Sequence, residues 1–155
     1  MGGETMRPEL NVVFAATRLR LYEDTEFLLV SLPPHAYLPL LSGLVRLHDT
    51  RFQSVVRAPA EVTLIAPVDL WSGLRADFPE ATVDAPWRLI TLDITIPLDV
   101  YGYMEQVARI CAEQSASVIM VSAYSTDHLL VTDARYAATR DALQAFIDQC
   151  RAATG

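Results

Sequence analysis

Two short segments of this chain carry the residues best suited to bind a small molecule. Gly102 stands between a predicted strand and a predicted helix, where glycine lets the backbone adopt positive φ or approach a ligand closely. The first amides of the following helix lack intrahelical acceptors and attract an anion such as a carboxylate. Asp127 ends a predicted turn that begins at Ser122, and its carboxylate can accept an ammonium group. A carboxylate site beside an ammonium site fits an α-amino acid.

Each feature also has a purely structural interpretation. A glycine between a strand and a helix is often only a turn, and Thr126 and Asp127 can cap their own turn through side-chain-to-backbone hydrogen bonds. Residue types and spacing alone leave both interpretations open.

The elements that position these segments form two similar halves, each predicted as strand, helix, strand, strand, helix. The halves span residues 10–78 and 86–152, with a loose tail at 1–9 and a linker at 77–86. Both halves contain a hairpin, 56–61 and 121–127, that brings a carboxylate to the start of the returning strand. Strands are predicted at 17–21, 26–32, 52–57, 61–66, 87–96, 117–123 and 128–131, and helices at 37–47, 70–76, 103–114 and 135–151. Strand 17–21 is left over, and we expect it to complete the second half so that the halves interlock.

Composition narrows the class of protein. The 155 residues are 52% hydrophobic and 20% charged, which is typical of a globular chain. A formal net charge of −7 argues against nucleic acid and anionic membrane as partners. The N-terminus lacks the apolar core of a signal peptide, and two separated cysteines form no disulfide framework, so a cytoplasmic protein is expected.

No pattern of catalytic, metal-binding or cofactor-binding residues stands out. The three histidines have no ligand spacing, and the six glycines are scattered rather than gathered in a phosphate-binding loop. His128 and Cys111 are expected to pack in the core. We therefore expect no catalytic residue, no metal and no cofactor.

One segment resembles a known family. Residues 118–131, Val-Ile-Met-Val-Ser-Ala-Tyr-Ser-Thr-Asp-His-Leu-Leu-Val, resemble the signature of a tandem ACT-domain family, close to Ser-Thr-Tyr-x-Thr-Asp-Tyr-Ile-Leu-Val. That family includes small stand-alone bacterial proteins and is related to the animal cytosolic arginine sensors and aspartate kinase regulatory domains. The resemblance extends from about residue 19 to 146 and includes Trp87 and the Gly102 loop. The matching positions are Ser122, Tyr124, Thr126, Asp127, Leu130 and Val131.

The resemblance implies an α+β fold of two ACT-like (ferredoxin-like) βαββ halves, with antiparallel sheets and helices on one face. It implies a non-catalytic regulatory or sensor protein that binds an amino acid or similar small molecule between ACT units. We also expect a homodimer, because strand edges in small sheets need cover. The ligand-binding residues implied by position are Val100, Tyr101, Gly102, Glu105, Ser122, Ala123, Tyr124, Thr126 and Asp127.

The chain departs from the family pattern at the pocket. Residues 94–97 replace the usual Gly-Pro-Leu-Asp, bulky Tyr101 precedes the loop glycine, and Ala123 and Ser115 replace a threonine and a glycine. These changes reshape the expected pocket. Two alternatives therefore stay open: an enzyme or accessory protein of a small-molecule biosynthetic pathway that reuses the fold, and a purely structural dimerisation module.

Overall fold

Residues 8–155, which are the residues that the computed structural model describes, form helices and antiparallel strands. The helices are α1 (Pro8–Ala16), α2 (Tyr37–Leu47), α3 (Val68–Ser72), α4 (Tyr103–Glu113) and α5 (Asp133–Thr154). The strands are β1 (Arg18–Leu21), β2 (Phe27–Leu32), β3 (Ser54–Arg57), β4 (Val62–Pro67), β5 (Thr82–Asp93), β6 (Val118–Ser122) and β7 (Asp127–Thr132). Short 3₁₀ turns span Pro34–Ala36 and Arg75–Asp77. The fold class is α+β.

The chain divides into two compact units. The continuous unit is Glu23–Arg88, and the discontinuous unit joins residues 8–22 to Leu89–Gly155. The division falls within β5, whose first residues belong to the continuous unit and whose last residues belong to the discontinuous one.

The continuous unit contains strands in the order β3-β4-β2 followed by the first part of β5. All pairs are antiparallel, with Val30 opposite Leu64 on one side and Val83 on the other. Alternate residues of β2 share one face of the sheet, and those of the core face pack under α2 and α3. The buried members of this core are Leu28, Val30, Leu32, Ala36, Leu40, Val62, Leu64, Ala66, Leu70, Trp71, Leu74 and Phe78.

The discontinuous unit contains the order β5-β7-β6, with β1 antiparallel to β5 from Arg18↔Asp93 to Leu21↔Ile90. Helix α1 packs on α5: Arg151 donates hydrogen bonds to the carbonyls of Ala15 and Thr17. The buried core under α1, α4 and α5 comprises Leu10, Phe14, Ile90, Leu92, Tyr103, Val107, Ile110, Cys111, Leu129, Val131, Tyr136, Leu143, Ile147 and Cys150.

Two segments differ from the sequence-based prediction. The loose tail predicted at residues 1–9 is wrong for Pro8 and Glu9, which begin α1. Residues 1–7 of that tail lie outside the described residues. Proline suits a first helical turn because the amide it lacks would have no intrahelical acceptor. The predicted linker 77–86 is wrong over residues 82–86, which are the first part of β5, since pairing with β2 gives them a ladder partner. Strand β5 also ends at Asp93 rather than Ile96, where its pairing with β1 ends.

Candidate functional site

Gly102 shapes the start of α4. Its φ is +91°, a left-handed value that favours glycine, and its carbonyl accepts the hydrogen bond of the Gln106 amide at 3.1 Å. No side chain caps this helix start. The first amides of α4 therefore have no acceptor from the helix or from a cap, which is the arrangement that holds an anion at a helix N-terminus.

Tyr103 anchors this helix start in the core. Its ring stacks on Phe14 with centroids 4.3 Å apart, and its hydroxyl lies 3.0 Å from the Thr17 hydroxyl. The Thr17 hydroxyl donates to the carbonyl of Val13, so the Tyr103 hydroxyl is the donor to Thr17. Burial raises the pKa of Tyr103 to about 12, and the negative charge of Asp127 contributes to the increase. The charge of Asp127 therefore acts on the buried phenol of Tyr103.

Asp127 closes the hairpin between β6 and β7. It pairs with Ser122 across the ladder, and the Ser122 hydroxyl donates to Asp127 Oδ1 at 2.5 Å. The Ala123 amide donates to the Thr126 carbonyl at 2.9 Å, which tightens the turn. The bond between Ser122 and Asp127 joins two side chains, whereas the capping interpretation expects bonds from side chain to backbone, and it engages one of the two carboxylate oxygens of Asp127.

A chain of polar side chains runs from Thr126 into the sheet. The two nitrogens of His128 lie 2.8 Å from the Thr91 hydroxyl and 3.2 Å from the Thr126 hydroxyl, and the Tyr22 hydroxyl lies 3.2 Å from that of Thr91. His128 is buried, as expected of a packing residue. Burial lowers its pKa below the usual value; the charge of Arg20 acts in the same direction and that of Asp127 opposes it.

The remaining expected ligand-binding residues are exposed to different degrees. Tyr124 is fully exposed and Tyr101 is 67% exposed. Ala123 is also exposed, whereas Val100 is half-buried. Glu105 lies one turn into α4, and its carboxylate accepts a 2.7 Å hydrogen bond from Arg109. Both tyrosines thus expose much of their side-chain surface to solvent.

A small cavity adjoins the loop before Gly102. It has a volume of about 250 Å³ and is lined by Asp99, Val100 and Tyr101 from the loop and by Glu9 and Leu10 from α1. Helix α1 thus forms part of the surroundings of the loop. The sequence interpretation missed this contribution, along with Thr17 and Tyr103, because these residues meet only through contacts that are distant along the chain.

Other classes of site find little support in residues 8–155. No group of three or more His, Cys, Asp or Glu residues in this range could hold a metal ion. Cys111 and Cys150 are buried free thiols, and burial raises the pKa of both. No helix in the same range has the length and apolar character needed to cross a bilayer.

Comparison with known proteins identifies the fold. A protein of unknown function from Vibrio cholerae, described as a possible transport protein, aligns over 89% of this chain and 95% of its own, with a TM-score of 0.67 and 21% identity. A protein from Agrobacterium tumefaciens aligns over 84% and 88%, with a TM-score of 0.66 and 19% identity. The ligand-free regulatory subunit of aspartate kinase from Thermus thermophilus aligns over 84% and 97%, with a TM-score of 0.59 and 11% identity.

No family model matches the chain, and no curated protein sequence matches it significantly. At these identities the structural similarity defines the fold. The chain has an α+β fold similar to that of aspartate kinase regulatory subunits, as the sequence resemblance to ACT domains predicts.

Proposed function

We propose that this chain is a non-catalytic regulatory or sensor protein that binds an amino acid between the 100–105 loop and the 122–127 turn. The observation that carries the proposal is the start of α4, where Gly102 has a left-handed φ and no side chain caps the helix, beside a cavity lined by Asp99, Val100 and Tyr101. In the proposal, Asp127 of the 122–127 turn is the carboxylate that complements these amides. An α-amino acid carries an ammonium group and a carboxylate on the same carbon, and so presents both complementary charges.

In this binding mode the amides that follow Gly102 hold the ligand carboxylate at the positive end of the helix dipole. Asp127 accepts the ligand ammonium, since hydrogen bonds between opposite charges are the stronger ones in a partly dry cleft. Ser122 keeps one oxygen of Asp127 oriented. Glu105 lies exposed in the first turn of the helix and accepts a hydrogen bond from Arg109. A basic side chain of the ligand would replace Arg109 beside this carboxylate, so Glu105 favours a basic ligand.

We also propose that a second copy of the chain covers the site. Strand β6 is the outer strand in the order β5-β7-β6 and leads directly into the turn. An outer strand presents unpaired backbone groups that favour pairing with another chain. The exposed rings of Tyr101 and Tyr124 offer aromatic surface to the second copy or to the ligand. Sedimentation velocity would test this dimer, and a monomer at high protein concentration would contradict it.

A thermal-shift screen with the twenty common amino acids tests the ligand. A ligand that binds only the folded state stabilises it by RT ln(1 + [L]/Kd), which is about 2.7 kcal/mol at a hundredfold excess over Kd. We expect at least one amino acid, preferentially a basic one, to raise the melting temperature.

Two variants separate binding from turn capping. Asp127→Asn keeps a hydrogen-bond acceptor for Ser122 but removes the charge, and should abolish the ligand-induced shift by removing an interaction worth about 1.5–3 kcal/mol. Ser122→Ala removes the turn bond but retains the charge, and should leave most of the shift. If no amino acid shifts the melting temperature and only the basal stability changes in both variants, Asp127 is a turn cap and the proposal fails.

A further inference from the structure

The continuous unit contains a second cavity, remote in sequence from the 100–105 loop and the 122–127 turn. It has a volume of about 620 Å³, which is within the range of about 300–1,000 Å³ that is usual for small-molecule pockets. Its lining comprises Leu28, Val68, Trp71, Ser72, Arg75, Phe78, Pro79, Ala81, Val83 and Ala85. The site proposed above uses none of these residues.

A helix and a strand line opposite sides of this cavity. Val68, Trp71 and Ser72 lie three and four residues apart on one face of α3, and Arg75 begins the 3₁₀ turn that follows the helix. On the opposite side, Ala81, Val83 and Ala85 alternate along the start of β5 and its approach. Two of these side chains are alanines and Val83 is 44% exposed, so the space between helix and strand is left unfilled.

A β-bulge widens the same side. Phe27 pairs with Trp87 but Leu29 pairs with Asp84, so Ala85 and Pro86 together oppose Leu28. Proline is accepted at a bulge because it has no amide to donate to the ladder. The bulge therefore bends β5 where the cavity is bounded by Leu28 and Ala85.

Trp71 forms an aromatic wall of the cavity. It is 4% exposed, and its ring stacks on that of Phe78 with centroids 5.9 Å apart and planes inclined by 24°. Its indole N–H is buried and has no hydrogen-bond acceptor within residues 8–155. A buried donor without an acceptor is unfavourable, so an oxygen that enters with a small displacement of the ring would satisfy it.

Arg75 is the single charged side chain of the lining. It makes no ion pair or side-chain hydrogen bond with the described residues, unlike Arg46, which pairs with Asp77 nearby. The hydroxyl of Ser72 is already used, since it donates to the Val68 carbonyl at 3.1 Å. In a chain with 19 acidic and 12 basic side chains, one available guanidinium in an apolar cavity favours a singly charged anion over a cation or a phosphate ester.

We infer that this cavity binds a small organic carboxylate with an apolar or aromatic body, which lies against Trp71 and Phe78 while Arg75 pairs with the carboxylate. Phenylacetate is a suitable probe, and 2-phenylacetamide is its uncharged counterpart of the same shape. The inference is independent of the amino-acid site.

The indole N–H signals of the two tryptophans provide the measurement in nuclear magnetic resonance spectra of the full chain. Trp87→Phe identifies which signal belongs to Trp71. We expect phenylacetate at millimolar concentration to move the Trp71 signal saturably, and 2-phenylacetamide to bind roughly tenfold more weakly or worse, because it lacks the charge that pairs with Arg75.

Variants define the outcome. Arg75→Gln should weaken phenylacetate binding to the level of the amide, whereas Arg57→Gln, an arginine of the same unit that lies over the Tyr37 ring, should have no effect. Val83→Phe should fill the cavity and abolish the response in a folded protein, and Asp127→Asn should leave it unchanged. Equal binding of the acid and the amide, no response of Trp71, or an unchanged response in Val83→Phe would each overturn the inference. One further outcome would overturn the inference. If phenylacetate does not bind the original chain and Val83→Phe converts a dimer into a monomer, the cavity is occupied by a second copy of the chain.

Discussion

At the scale of single residues, His128 links the candidate site to the interior of the sheet. Its ring lies between Thr91 and Thr126, and it is 8% exposed. Burial is the largest cause of its lowered pKa. The neutral ring is therefore the form that the folded protein accommodates, whereas the unfolded chain allows the ring to protonate at its usual value of about 6.5.

This difference predicts a pH dependence of stability. Because the folded pKa of His128 is lowered, its contribution is fully present above about pH 6.5 and is lost as the pH falls towards the folded value, by at most about 1.4 kcal/mol per pH unit. Urea unfolding at pH 7.5 and pH 5.5 measures it. The pH-dependent loss should be smaller in His128→Asn, whose amide can still reach Thr91. His48→Asn, at an exposed histidine, is the control, and an equal loss in His128→Asn and the original chain would contradict the prediction.

Residue types were enough to select Gly102 and Asp127, because positive φ and turn closure each require particular side chains. They were not enough to find Tyr103 and Thr17, whose hydroxyl groups meet across 86 positions of sequence. The charge of Asp127 acts on that buried phenol. Local patterns thus select the candidate groups, whereas contacts between residues distant along the chain decide what surrounds them.

At the scale of elements, one helix with a weakened pattern was predicted and another helix was missed. Helix α2 spans Tyr37–Leu47 as predicted, although Pro39 and Gly43 weaken the helical pattern. A Cβ at position 43 would lie 2.6 Å from Leu74 Cδ2, so any larger residue would displace the buried side chain of Leu74. Helix α1 was missed because its apolar residues lie on several sides, with Val12 exposed and Phe14 buried. Its helix is stabilised mainly by its packing on α5, which no local pattern reveals.

The end of α4 gives an element-scale prediction. Ser115 has φ +53°, the left-handed region that suits glycine, and its amide donates to the Ala112 carbonyl at 2.9 Å. Ser115→Gly should raise the free energy of unfolding by about 0.5–1 kcal/mol, because a side chain is strained there. Ser115→Ala keeps that strain and serves as the control. Denaturant unfolding of the three chains measures the effect, and a less stable glycine variant would show that the serine side chain contributes more than the strain costs.

At the scale of the whole molecule, the discontinuous unit takes its first helix and first strand from the N-terminal part of the chain. Phe14 contacts Tyr103 of α4 and Phe146 of α5. Strand β1 provides β5 with a ladder partner. That the second half needs this strand in order to fold remains a prediction.

Residues 80–155 alone should therefore fail to fold cooperatively. Without α1, the apolar surfaces of Tyr103 and Phe146 that pack on Phe14 lose their cover. A permuted chain that joins residues 89–155 through a Gly/Ser linker to residues 8–22 restores both missing elements and should unfold in one cooperative transition. Circular dichroism during urea unfolding distinguishes the two chains. A cooperative, native-like transition of residues 80–155 by themselves would show that α1 and β1 are dispensable.

In sequence, Glu23–Arg88 is inserted between the two segments of the discontinuous unit, and this also determines the order in which the protein can form during translation. The continuous unit is complete as soon as Arg88 leaves the ribosome and can fold while synthesis continues. Helix α1 emerges before this unit, but the carbonyls of Ala15 and Thr17 meet Arg151 only after α5 has been made. A ribosome that stalls before α5 would therefore present a folded middle segment together with helix α1, whose apolar surface is not yet buried by α5. A chaperone would recognise that exposed apolar surface.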